Sequence, residues 1–156
     1  MSTGGPAVVR TRAELAALVG VELGPGPWLT VDQERIDLFA RATGDHQWIH
    51  VDAERAAGGP YGATIAHGYL TLSLISGLAA DLYRFDLGTA RLNYGLDKVR
   101  FPAPVPVGSR VRLRCTIAGV IPRQNAVLVP IDCTVDVAGR ARPACVARKM
   151  SLVLLT

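Results

Sequence analysis

Asp45 and His50 stand in the run Gly44-Asp45-His46-Gln47-Trp48-Ile49-His50-Val51-Asp52. A carboxylate and an imidazole can hold one water between them. One group takes a proton from that water and the other delivers a proton elsewhere, which is general acid–base chemistry. Gly44 suits a helix stop, so Asp45 follows a helix end and His50 lies one short hook later, where both can face one pocket. An Asx turn followed by a surface histidine would have the same spelling, so the pair must be judged with its surroundings.

The next chemistry-bearing feature is Ala66-His67-Gly68, which opens an apolar run. A backbone N–H at a helix N-terminus can stabilise negative charge developing on a carbonyl oxygen, and glycine lets a substrate approach closely. Gly68 would equally serve to make the turn. Ser76, farther along the same run, offers a hydroxyl, and it also has the size of a residue packed between helix and sheet. Gln47 is placed to hydrogen-bond the Asp45 carboxylate or a substrate. His46, His50 and His67 lack metal-ligand spacing, and Cys115, Cys133 and Cys145 fall in predicted strands, so no metal is expected. The cysteines read as small core residues. A nucleophile elbow, a Walker loop and a dinucleotide fingerprint are all missing.

The elements that must position these groups follow from periodicity. Thr11-Arg12-Ala13-Glu14 is a capping box that starts a short amphipathic helix, and Thr30-Val31-Asp32-Gln33 precedes a second one bearing Ile36, Phe39 and Ala40. Residues 45–68 are dense in turn formers and read as a long functional loop. Residues 69–82 are apolar nearly all round and predict a buried central helix. Beyond it, Arg91–Phe101, Val111–Ala118, Val127–Val137 and Val146–Leu155 read as strands. One buried helix followed by an antiparallel meander is an α+β arrangement.

The chain has 156 residues, 49% of them hydrophobic and 19% charged, which fits one well-filled domain. Its net charge is +4, but the arginines are scattered singly, so nucleic acid is not an expected partner. Residues 69–82 are too short to span a bilayer, and Met1–Val9 lacks the pattern of a secretory leader. With three unpaired-looking cysteines, a cytoplasmic location is expected.

The Asp-x4-His pair, the Ala-His-Gly turn and the Arg-Phe-x-x-Pro-Val-x-x-Gly run at 100–108 together resemble the MaoC-like (R)-specific enoyl-CoA hydratases, a hot-dog family. The Gly44–Asp52 run looks most similar to a subgroup that includes nodulation-protein-N-like proteins. The resemblance covers residues 28–155 or so. It implies a single hot-dog domain at 28–156, its sheet wrapped around a central helix at about 69–82, with 1–27 as an N-terminal helical extension of the same domain.

By the same resemblance Asp45 and His50 are catalytic, Gly68 is the oxyanion donor, and Ser76 helps orient the active-site groups; Gln47, where the chain departs from the family pattern, is expected to bind the substrate or the Asp45 carboxylate. His67 is implied to be a cap or hydrogen-bond partner at the helix entrance. The implied reaction is reversible syn hydration of a trans-2-enoyl-CoA to the (R)-3-hydroxyacyl-CoA. The alternatives are dehydration of 3-hydroxyacyl chains on acyl carrier protein, and a non-catalytic hot-dog subunit that binds acyl thioesters. The expected partner is an acyl-CoA or acyl-carrier-protein thioester, with a homodimer and no resident cofactor, since CoA or pantetheine arrives with the substrate. Many relatives carry Asn-Pro where this chain has Gln47-Trp48, a difference that bears on acyl-chain preference more than on the Asp–His pair.

Overall fold

The computed structural model describes residues 5–155. Residues 1–4 and 156 lie outside it, so the start of the segment read for a leader lies outside as well.

Thr11 caps helix α1 (Arg12–Ala17), with its hydroxyl accepting from the Glu14 N–H at 3.1 Å and the Glu14 carboxylate reaching back to the Thr11 N–H. This is the reciprocal pairing that the sequence pattern requires. The segment before residue 28 also contains strand β1 (Ala7–Val9), paired in parallel with β4 (Tyr83–Phe85), and strand β2 (Glu22–Leu23). It is therefore more than helical, because its extended pieces find sheet edges to bond. Strand β3 (Leu29–Val31) takes up part of the second capping pattern. Asp32 is the cap of helix α2 (Gln33–Thr43), accepting from the Arg35 N–H at 2.9 Å. Gly44 closes α2 with φ 77°, the left-handed conformation glycine adopts without a side-chain penalty.

Residues 45–68 are not structureless. They form two short helices, α3 (Trp48–Val51) and α4 (Ala53–Ala57), before the central helix α5 (Gly68–Leu78). α5 is shorter than the expected 69–82, because the chain tightens into a 3-10 turn at Ala79–Asp81. Leu70, Thr71, Ile75 and Leu78 are its buried residues.

The sheet consists of β5 (Ala90–Arg100), β6 (Ser109–Ile117), β7 (Ile121–Arg123), β8 (Ala126–Val137) and β9 (Cys145–Leu154), with β2 and β3 both bonded to β6. Its main order is β2-β6-β8-β9-β5, antiparallel throughout. The simple meander is thus corrected at one place: β5 precedes β6 in sequence but pairs with β9 at the far edge. Its link to β6 runs from Phe101 to Gly108 and holds Pro102, Pro104 and Pro106, which cannot make a tight hairpin ladder. That link has its own task. The Val105 carbonyl accepts from Ala66 N–H at 2.8 Å and Val107 N–H donates to the Thr64 carbonyl at 2.9 Å, which pins the segment leading into α5.

The core lies between α5 and the concave sheet face. Alternate residues point inward, so Leu113, Ile117, Ile131 and Val135 are fully buried. Cys115 lies opposite Cys133 and Cys133 opposite Ala147 on that face. All three cysteines are free, and burial raises their thiol pKa values, to about 11 for Cys115 and Cys145 and about 12 for Cys133. They are inert packing groups at neutral pH. Among the described residues no helix is long and apolar enough to cross a membrane.

Ile131 sits at the middle of this face with no exposed surface. Ile131→Ala is expected to lower unfolding free energy by about 2–5 kcal/mol, from lost burial plus the cavity left behind. A urea midpoint unchanged from wild type would show that this face is not the core.

Candidate active site

Three elements converge on the site: the C-terminal end of α2, the short helix α3 and the N-terminal end of α5. Asp45 follows the Gly44 stop and is exposed. Its carboxylate accepts weakly from the Gln47 N–H at 3.4 Å, so the backbone of Gln47, rather than its exposed side chain, steadies the acid. His50 is carried on α3 and buried at 6% exposure. Trp48 packs the outer side of this segment, under the Arg55 guanidinium at 4.5 Å and against Gly59.

The His50 Nδ1 atom lies 2.7 Å from the Ile65 carbonyl. A carbonyl oxygen can only accept, so Nδ1 carries the proton and Nε2 keeps its lone pair. This is the tautomer a general base needs. Burial holds the His50 pKa below its ordinary value of 6.5, and the neighbouring His67 pushes the same way. The bond to Ile65 and the charge of Asp45 oppose this without reversing it. His50 is thus mainly neutral at pH 7.

Sequence reasoning placed His67 at the helix entrance but gave no sign that it stacks on His50. The ring centroids are 3.8 Å apart and the planes 25° from parallel. His67 Nε2 donates to the Asp45 backbone carbonyl at 2.9 Å, and the Phe39 ring lies against it at a tilt, 5.0 Å between centroids. His67 therefore ties the Asp45 segment to the start of α5 and supports the His50 ring. Its Nδ1 is buried without a partner among the described residues.

Gln33 was also missed. Its amide donates to the His50 carbonyl at 2.8 Å and to Asp37 at 2.8 Å, and its oxygen accepts from Thr64 at 2.6 Å. One side chain thereby joins α2, α3 and the segment before α5. A glutamine in the first turn of a helix carries no pattern that would reveal such a role.

Donor atoms of Asp45, His50 and His67 all lie within 4.8 Å of one another. Each hydrogen bond to a bridging water spans roughly 2.7–3.2 Å, so this spacing suits one water held between the acid and the base. It suits a shared metal ion poorly. Imidazole lone pairs lie in the ring planes, and two stacked, nearly parallel rings do not aim theirs at one point.

Gly68 is the first residue of α5, where the helix leaves its N–H groups without intrahelical partners. A Cβ there would meet the Phe101 ring at 3.0 Å, so the position is closely covered. Ser76 is not brought to the Asp45–His50 pair. It lies two turns along α5, beside a separate cleft with Leu72, Asn93 and Lys149. His46 is exposed at the edge of a shallow groove with Asp37 and Arg41.

A helix wrapped by an antiparallel sheet, with an Asp–His pair on the segment that overhangs the helix entrance, defines a hot-dog domain of the hydratase type. Comparison with known proteins agrees. The family model described as MaoC like domain matches residues 14–138, and the chain belongs to this family. It is 53% identical over 139 residues to 3-hydroxyacyl-thioester dehydratase Z of Mycobacterium tuberculosis, covering 88% of this chain and 92% of that protein. It is 46% identical over 144 residues to Nodulation protein N of Rhizobium leguminosarum, covering 90% and 89%. Among solved structures, the MaoC-like dehydratase from Rhodospirillum rubrum superposes with a TM-score of 0.71 at 20% identity, covering 88% and 93%, which bears on the fold alone. The protein is a hydro-lyase.

Because the folded-state pKa of His50 is depressed, its neutral burial favours folding fully above the unfolded value near 6.5. That contribution is lost as pH falls from 6.5 through the folded value. Melting temperature should therefore fall between pH 7 and pH 5, and His50→Gln should flatten the fall. Equal slopes for the two proteins would show that His50 does not titrate in this way.

Proposed function

We propose that the protein hydrates trans-2-enoyl-CoA thioesters reversibly to (R)-3-hydroxyacyl-CoA. The observation that carries this is the His50 ring, whose Nδ1 bond to the Ile65 carbonyl leaves Nε2 bare, with one ring nitrogen within 4.8 Å of an Asp45 carboxylate oxygen. A water held by the two groups loses a proton as its oxygen attacks Cβ, and a proton is delivered to Cα, so the C=C bond is consumed and the elements of water are added. Negative charge that builds on the thioester oxygen is met by the Gly68 N–H at the positive end of α5. Syn addition requires both acid–base groups to meet the substrate from one side, which the closeness of Asp45 and His50 allows.

Dehydration of a carrier-bound 3-hydroxyacyl chain is the same chemistry reversed. The name of the 53% identical mycobacterial relative favours that direction. CoA and carrier-protein thioesters compared at equal concentration separate the two readings. A non-catalytic thioester-binding subunit is the third possibility. It is disfavoured by the matched tautomer and spacing, which binding alone does not need.

The assay follows the loss of enoyl absorbance with crotonyl-CoA. Wild type should turn it over to the (R)-3-hydroxy product, and Asp45→Asn and His50→Gln should each lose about 10²–10⁴-fold in kcat. Variants that keep wild-type turnover would sink the mechanism. A folded wild type inactive on a full series of chain lengths, on both CoA and carrier protein, would leave only the binding reading.

The expected homodimer is a part of the same proposal. Among the described residues β5 presents an unpaired edge and the exposed side chains Leu92 and Tyr94, with Tyr69 and Phe101 alongside. A second copy paired there would cover them and remove an open strand edge. Sedimentation should give a dimer for wild type and a monomer for Leu92→Glu. A monomeric wild type would refute the pairing.

A further inference from the structure

The cleft beside Ser76 has an unexpected lining. It encloses about 220 Å³ and lies between α5 and the β5–β9 edge of the sheet. Across the concave face here the strands align Ile117, Ile131, Lys149 and Leu96 in one row. A lysine stands where the pattern calls for an apolar residue, and it is only 8% exposed. None of the ion pairs among the described residues includes it, and no carboxylate lines the cleft. The adjacent inward row aligns Val129, Ser151 and Asn93. Ser151 is 1% exposed and its hydroxyl has no partner among the described residues. Asn93 and Ser76 complete a polar lining on an otherwise oily face.

An unpaired lysine buried in a core is unfavourable unless an anion or strong acceptor meets it. Burial already lowers its pKa, Cys133 and Cys115 oppose this without reversing it, and Arg91 adds to it. A negative group entering the cleft would relieve the burial and the repulsion by Arg91.

The position of the cleft shows what such a group would be attached to. Gly68, Leu72 and Ser76 recur at every fourth residue and so form one stripe along α5. Ser76 lies about 12 Å along the helix axis from Gly68, at 1.5 Å per residue. A thioester carbonyl held at Gly68 would thus have its acyl chain directed past Leu72, and at about 1.25 Å of reach per carbon an extended chain of about ten carbons would bring its end to Ser76.

On these grounds, and resting on the thioester reading above, we propose that Lys149, with Asn93 and Ser76, binds the distal end of the acyl chain and selects chains that end in a carboxylate. The preferred substrates are then ω-carboxylated enoyl thioesters of medium length, about ten carbons. Lys149 is a specificity-determining residue.

The test measures binding by calorimetry, separately from turnover. Sebacoyl-CoA and decanoyl-CoA differ only at the far end, where a carboxylate replaces a methyl group. Wild type should bind sebacoyl-CoA about 10–100-fold more tightly, the range for a hydrogen-bonded charge pair. Lys149→Met, close to the same shape, should bring the ratio near one, and Asn93→Leu should reduce it. Melting temperatures confirm that each variant is folded. No preference in wild type, or the same ratio in folded Lys149→Met, overturns the proposal. Failure of the hydratase reading has a different signature. A protein that prefers sebacoyl-CoA but never hydrates trans-2-decenedioyl-CoA keeps the pocket and loses the reaction. One that hydrates trans-2-decenoyl-CoA and ignores the carboxylate keeps the reaction and loses the pocket.

Discussion

The hydrogen bond from His50 Nδ1 to the Ile65 carbonyl is the interaction on which the chemistry of this protein rests. An imidazole has one N–H when neutral, and a carbonyl can only accept, so this contact decides which nitrogen remains basic. It also decides where the ring lies, because Ile65 is held by its own backbone bond to the Ile49 carbonyl at 2.9 Å. The base is therefore oriented by main chain, which cannot rotate away as a side-chain partner can. Burial keeps the ring neutral, and neutrality is what allows it to stack at 3.8 Å on a second imidazole.

Much of the fold serves to hold Ile65 and its neighbours in place. The proline-bearing link from β5 to β6 bonds to Thr64 and Ala66 on either side of it. Gln33 reaches from α2 to both His50 and Thr64. His67 joins the Asp45 backbone to the start of α5. Each of these contacts spans a long stretch of sequence, and together they convert a turn-rich segment into a rigid overhang. A rigid overhang matters because misplacement of an acid–base pair by about 1 Å can cost about two orders of magnitude in rate.

The concave face of the sheet shows two different regimes. Around Ile131 and Val135 it is a close-packed apolar core with silent thiols. Toward β5 it turns polar at Lys149, Ser151 and Asn93. This change follows the open side of the molecule, where β5 is solvent-exposed along nearly its whole length. The exposed edge, the polar cleft and the catalytic overhang all lie on elements that contact α5 or lead into it. A change in packing of that helix would therefore reach all three.

Residue types and local spacing were sufficient to read the α+β class, the capping box at Thr11, the glycine stop at Gly44 and the inward alternation of β6, β8 and β9. These are short-range properties, set by backbone conformation and side-chain period, and they survive in a single sequence. The acid–base roles of Asp45 and His50, by contrast, came from the family resemblance and not from their spacing. Tertiary structure alone decided that β5 crosses to the β9 edge, that His67 stacks on His50, that Gln33 ties three segments together, and that Ser76 faces a cleft shared with Lys149 rather than the Asp–His pair. Those contacts join residues far apart in the chain, so their energy depends on how the sheet closes over α5. No local pattern carries that information, because a histidine, a glutamine or a lysine is written the same way whether it meets solvent or a partner across the fold.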